Sequence, residues 1–124
     1  MKILFIDRDG VLNQDKGYTY KTSDLKILDG VVDGLKEFQD MGYSIIIITN
    51  QSGIARGFFS LLDFHNFMNY LIKEFQTNGI KILDYFFCPH HIDGKIKKYT
   101  MACTCRKPQP GMIIKAIKKY SLDA

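Results

Sequence analysis

The stretch ILFIDRDGVLN, residues 3–13, carries four consecutive apolar side chains straight into two aspartates, Asp7 and Asp9, with Gly10 behind them. A short unbroken apolar run reads as a strand buried on both faces, and such strands belong to parallel sheets. SIIIIT, residues 44–49, is a second run of this kind, and a third strand is expected over residues 85–88. Helical spacing fills the intervals. Val31, Leu35 and Phe38 share one face, and Leu61, Phe64, Met68, Leu71, Ile72 and Phe75 share another, with Ser60 and Asp63 placed as a capping box. A last helix is expected from about Gly111, with Met112, Ile113, Ala116 and Ile117 as its apolar face. Strands alternating with helices predict an open α/β sheet in one domain, residues 1–124. Residues 10–30 exceed a simple turn and read as a flap over the strand ends.

The formal charge of +4, from 17 basic and 13 acidic side chains, includes no long basic run of the kind that tracks a nucleic-acid backbone. It suits a small anionic substrate. The N-terminal apolar stretch is broken at Asp7, so neither a signal peptide nor a membrane span is expected, and the protein is placed in the cytoplasm. Three cysteines, Cys88, Cys103 and Cys105, are an odd number without a secretory signal, which argues against a disulfide framework.

Ligands of open α/β sheets bind beyond the carboxyl ends of the strands, where Asp7 falls. Two carboxylates so close repel unless a cation or a shared proton joins them. Magnesium, which takes hard oxygen ligands together with substrate phosphate, fits best. The second strand runs into TNQSGIARG, residues 49–57, whose hydroxyls, amides and Gly53 resemble a phosphate cradle. CRKPQPG, residues 105–111, sets Arg106 and Lys107 before two prolines, and both side chains suit phosphate oxygens. Cys88, His90, Cys103 and Cys105 form C-x-H-x12-C-x-C, a donor set for a closed, structural Zn²⁺ site. His91 is the rival ligand, and simple cysteine burial the alternative. Such a clip would pin the lysine-rich GKIKKYT, residues 94–100, and so fix Arg106 and Lys107. His65 reads as a packed or solvated residue.

Together FIDRDGVLN, ITNQSGIARGFF and CRKPQPGM resemble successive motifs of the haloacid dehalogenase superfamily of phosphatases, closest to its heptose bisphosphate and histidinol-phosphate branch. The resemblance covers nearly the whole chain. It implies a Rossmann-like open parallel sheet with a small flap and a zinc loop. It makes Asp7 the nucleophile and Asp9 the acid and base, with Thr49 and Lys107 holding the phosphoryl oxygens. Magnesium would sit on Asp7 and the main-chain carbonyl of Asp9. Arg8, Asn50, Gln51, Ser52 and Arg106 would orient a small sugar phosphate, and the flap, with Asp15 and Tyr18, would close over it. The long spacing inside the zinc loop favours a heptose substrate over histidinol phosphate. A polynucleotide phosphatase shares the first motifs but not the clip.

The family's further acidic motif, G-D-x-x-x-D on a following strand, has no counterpart in these residues. The expectation is therefore of a fold lacking its C-terminal strand, either a piece of a longer, monomeric protein or a shortened chain that needs a partner. Residues 3–6 would then form an exposed apolar edge and magnesium would bind weakly. A phosphate-binding module without turnover is the rival from another class.

Overall fold

The computed structural model describes residues 2–91, 94–100, 103, 105, 107 and 110–122. In chain order they form β1 (Lys2–Ile6), α1 (Val31–Asp40), β2 (Tyr43–Asn50), α2 (Ser52–Ala55), α3 (Leu61–Thr77), β3 (Ile82–Cys88) and α4 (Gly111–Tyr120), with short 3-10 turns at Thr22–Asp24 and Lys97–Tyr99. The three strands make a parallel sheet in the order β1-β2-β3. β2 is central, and its run of isoleucines alternates between two cores. Ile45 and Ile47 face Leu35 of α1 and Phe64, Phe67, Met68, Leu71 and Phe75 of α3. Ile46 and Ile48 face Met112 and Ala116 of α4. That is why the strand is apolar at successive positions rather than at every second one. Burying one such side chain is worth roughly 1.5–3 kcal/mol, so β2 anchors both layers.

The capping box is present at the start of α3. The Asp63 N–H donates to Ser60 Oγ at 3.0 Å, and the Ser60 N–H donates to Asp63 Oδ2 at 3.0 Å. His65 packs between Phe64 and Phe87, with Nδ1 2.7 Å from the Tyr85 hydroxyl. Among the described residues β1 pairs with β2 alone, and residues 3–6 are half-buried. No described helix is long and apolar enough to cross a membrane.

Three features differ from expectation. β3 begins at Ile82 rather than at residue 85, because Asp84 interrupts the apolar pattern without interrupting the strand. Its Oδ2 accepts hydrogen bonds from Lys119 Nζ at 2.6 Å and Tyr120 Oη at 2.7 Å, both on α4. The cradle contains a short helix, α2, which the sequence pattern did not announce. Most of residues 10–30 are not a flap: Leu12 and Asn13 are fully buried, Leu25 and Ile27 pack on the core, and Asn13 bridges to Ile27. Only the tip near residues 15–18 stands over the strand ends.

Gly53 has a packing reason. A Cβ there would collide with the Phe59 ring and lie 2.9 Å from Tyr18 Cδ1. Gly53→Ala should therefore destabilise the protein by roughly 1–3 kcal/mol, measured by urea unfolding. A second prediction concerns Asp84. Burial alone would raise its carboxyl, but hydrogen bonds from Lys119, Tyr120 and the Tyr85 N–H outweigh it and hold the group below the usual carboxylate range. A carboxyl lowered on folding contributes stability that is complete above its unfolded value, about pH 3.9, and lost as pH falls through the folded one. Asp84→Asn should thus lower the urea midpoint at pH 7, and the gap to the parent protein should close in acid.

Candidate active site

β1 stops at Ile6, level with Ile47 of β2, so the chain leaves the sheet at Asp7 just where β2 approaches its own end. There a cleft of about 330 Å³ is lined by Asp7, Asp9, Asp15, Gly17, Tyr18, Thr49, Asn50, Gln51 and Ser52. Apart from Gly17, each was expected there from the sequence. A larger hollow of about 610 Å³ between the segment around Leu25–Asp33 and Tyr70, Glu74 and Asn78 contains none of these groups, so chemistry and not size marks the site.

Asp7 is half-exposed. Its Oδ1 accepts a hydrogen bond from the Arg8 N–H at 2.8 Å and pairs with Lys107 Nζ at 2.9 Å, a lysine one hundred residues further along the chain. Lys107 also reaches the Ile48 carbonyl at 3.3 Å. Its main chain is gripped by Asn50, whose Oδ1 accepts from the Lys107 N–H at 2.9 Å and whose Nδ2 donates to the Lys107 carbonyl at 3.4 Å. Asn50, expected on the substrate, spends its amide on positioning the lysine. Among the described residues no hydrogen bond ends on Asp7 Oδ2 or on the Asp9 main-chain carbonyl, so the two oxygens expected to hold magnesium are available to it.

Asp9 is held by donors on three side chains, with Arg8 Nη2 also 2.7 Å from its Oδ1. Oδ1 accepts from Arg8 Nε at 2.9 Å and Asn13 Nδ2 at 3.1 Å. Oδ2 accepts from Arg8 Nη2 at 2.9 Å and Gln51 Nε2 at 3.1 Å. Gln51 Nε2 also donates to Thr49 Oγ1 at 2.9 Å, tying the hydroxyl to the carboxylate. Arg8 corrects an expectation. Instead of meeting a ligand it is fully buried behind Asp9, with its guanidinium 4.5 Å from the Phe67 ring centroid and donating to the Thr19 carbonyl at 2.9 Å. Burial draws its pKa below the usual arginine value, while Asp9 opposes the shift. It remains a cation.

Ser52 opens α2 on the cleft wall. On the flap, Asp15 Oδ1 accepts from the Gly17 N–H at 2.9 Å, and Tyr18, with φ +53°, lays its ring 4.6 Å from that of Phe58. Arg106 lies outside the described residues.

The Cys88, His90, Cys103 and Cys105 donors lie within 4.8 Å of one another. His90 supplies Nδ1, 3.7 Å from Cys88 Sγ and 3.3 Å from Cys105 Sγ, while Cys103 Sγ is 3.2 Å from Cys88 and 3.4 Å from Cys105. The rival His91 turns away, with Nε2 3.1 Å from Arg56 Nη2. Cys88 and Cys105 are in direct sulfur contact, as in a disulfide, leaving Cys103 as a thiol. A disulfide explains two donors and leaves the other two packed against it without purpose; a tetrahedral zinc uses all four. With bonds of about 2.3 Å to sulfur and 2.0–2.1 Å to nitrogen, donors around zinc lie roughly 3.5–3.8 Å apart, close to the separations among the remaining pairs. The donor set fits zinc.

The clip reaches the cleft from two sides. The Cys88 carbonyl accepts from the Gln51 N–H at 2.8 Å, and Lys107 follows two residues after Cys105. The lysine-rich loop is itself tied down, since the Lys95 and Ile96 N–H groups both meet the Ala55 carbonyl of α2 at 2.7 Å.

Residues 2–124 match the family model described as polynucleotide kinase 3 phosphatase. The chain is 45% identical over 123 residues to the D-glycero-alpha-D-manno-heptose-1,7-bisphosphate 7-phosphatase of Photorhabdus laumondii, covering 99% of this chain and 67% of that one. It is 42% identical over 122 residues to the D-glycero-beta-D-manno-heptose-1,7-bisphosphate 7-phosphatase of Haemophilus influenzae, covering 98% and 66%. It thus spans about two thirds of the length of these curated relatives. Among solved structures it superposes with a TM-score of 0.84 and 31% identity on the D,D-heptose 1,7-bisphosphate phosphatase of B. bronchiseptica complexed with magnesium and phosphate, covering 99% of this chain and 65% of that one. A HAD-like phosphatase from Mesorhizobium loti gives a TM-score of 0.90 at 28% identity, covering 98% and 58%.

The clip is directly testable. Purified without reductant, the protein should contain one zinc per chain by elemental analysis, and three thiols should become reactive after denaturation with a chelator. One reactive thiol and no zinc would establish the disulfide instead.

Proposed function

We propose that this chain, which belongs to the polynucleotide kinase 3 phosphatase family along residues 2–124, carries the nucleophile and acid–base machinery of a magnesium-dependent phosphatase that removes the 7-phosphate of a D-glycero-D-manno-heptose 1,7-bisphosphate. The observation that supports the chemistry is that Asp7, Asp9 and Thr49 line one cleft, with Lys107 Nζ 2.9 Å from Asp7 Oδ1. The substrate rests on the relatives named above and on a magnesium and phosphate complex of one of them. The family description alone would suggest a polynucleotide 3′-phosphate. The modest charge, without a basic run, and the names of the relatives favour the sugar.

In this reading the Lys107 ammonium and the Thr49 hydroxyl take the transferring phosphoryl oxygens as substrate enters, and Lys107 loosens its hold on Asp7. An Asp7 oxygen bonds to phosphorus while the bond from phosphorus to the sugar oxygen breaks. The departing oxygen keeps the electron pair and receives a proton from Asp9. Asp9 then takes a proton from water, whose oxygen bonds to phosphorus as the aspartyl ester opens, releasing inorganic phosphate and restoring both carboxyls. Magnesium, when bound on Asp7 and the Asp9 carbonyl, offsets the charge on the phosphoryl group. Asn50 and Gln51 act on the machinery more than on the sugar. Asn50 sets Lys107, and Gln51 couples Thr49 to Asp9.

Rapid-quench labelling of the full-length protein with ³²P-labelled heptose bisphosphate should trap one labelled aspartate, lost in Asp7→Asn. Asp9→Asn should slow turnover about 10²–10⁴-fold. Faster release of phosphate from histidinol phosphate or a 3′-phosphorylated oligonucleotide would keep the chemistry and change the substrate, whereas failure to trap any label would overturn the mechanism.

A further inference from the structure

The Asp9 carboxylate offers about four lone-pair positions, and side-chain donors meet all of them. Three of these bonds come from the interior, since Arg8 and Asn13 are both fully buried. The fourth comes from Gln51, which lines the cleft. Oδ2 is therefore the oxygen with a partner on the cleft wall, whereas the partners of Oδ1 lie in the interior. Asn13 agrees with this polarity: its Nδ2 serves Asp9 while its own Oδ1 is buried with no partner among the described residues, so the carboxylate dictates which way the amide points.

Arg8 is itself fixed before it meets Asp9. Its Nη2 donates to the Thr19 carbonyl, its Nη1 lies 3.7 Å from Met68 Sδ, and its plane sits over Phe67. A buried ion pair gives little net stability compared with apolar groups of the same shape, but a planar guanidinium that meets both carboxylate oxygens, Nη2 lying 2.7 Å from Oδ1 and 2.9 Å from Oδ2, restricts rotation about the aspartate side chain. Resting on the reading of Asp9 as acid and base, we propose that Arg8 is a positioning residue whose Nε, on Oδ1, and Nη2, shared between both oxygens, turn the Asp9 carboxylate so that Oδ2 faces the leaving oxygen. The proton then passes from Oδ2 to that oxygen as its bond to phosphorus breaks and it keeps the electron pair. Arg8 acts from behind and touches no substrate.

The test uses leaving groups of different quality. An alkoxide needs a proton to depart, whereas 2,4-dinitrophenolate does not. In the full-length protein, Arg8→Met and Arg8→Lys should each lower kcat on the sugar phosphate by about 10²-fold with KM nearly unchanged, as expected of a displaced catalytic group. With 2,4-dinitrophenyl phosphate the first burst of phenol should keep its parental rate, followed by slow turnover because water activation also needs Asp9. Arg8→Lys is the decisive variant, keeping the buried charge while losing the planar guanidinium, and it answers the question if Arg8→Met fails to fold. Asp9→Asn is the reference. If Asp9→Asn slows the dinitrophenol burst as much as sugar phosphate turnover, the acid–base reading itself is wrong. If Asp9→Asn discriminates but Arg8→Lys retains full activity or loses both reactions equally, the positioning role is overturned and the phosphatase reading stands.

Discussion

Two carboxylates two residues apart share a cleft only where positive charge is brought to each, and most of this architecture bears on that requirement. Asp9 receives its cation from the next residue back, Arg8, folded inward beneath an aromatic layer. Asp7 receives its cation from Lys107, after the chain has built two more strands and the clip. The first pairing is enclosed and rigid. The second is half-exposed and meets solvent at the cleft.

Delivering Lys107 is a problem of long-range order. Two separate devices act on its main chain and on its neighbour two residues earlier. Asn50, at the end of the central strand, takes the Lys107 N–H and carbonyl with a single amide. The Cys88, His90, Cys103 and Cys105 cluster ties the same segment to the end of β3, the strand beside β2. Both devices start from strand ends, the most rigid points near the cleft, because β2 is clamped between two apolar cores. Burial of the isoleucines thus bears on the placing of Lys107 as well as on stability.

How far the sequence reveals this depends on the range of the forces involved. The parallel sheet, the apolar faces of the helices and the Ser60–Asp63 capping box follow from periodicity and neighbouring residues, so they could be read directly. Asp84 concealed the start of β3 because its partners Lys119 and Tyr120 lie on another element, and a charge in a strand looks like an end until they are known. The flap was overextended for a related reason. Polar residues between Gly10 and Gly30 mask Leu12, Asn13, Leu25 and Ile27, which the core claims.

What the amino-acid sequence determined by itself was the chemical inventory: carboxylates after β1, hydroxyl and amides after β2, a cation after the last cysteine, and four soft donors at matching spacings. It also fixed their order along the chain, and hence that the strand ends would assemble them. Only the tertiary structure decided where each side chain points. Arg8 turned from the substrate to Asp9, Asn50 from the substrate to Lys107, and Gln51 to a bridge between Thr49 and Asp9. The physical reason is that residue type limits which bonds a group can make, while its partner is chosen by packing among elements far apart in the chain. A guanidinium beside an aspartate reads the same whether it faces a ligand or the ring of Phe67.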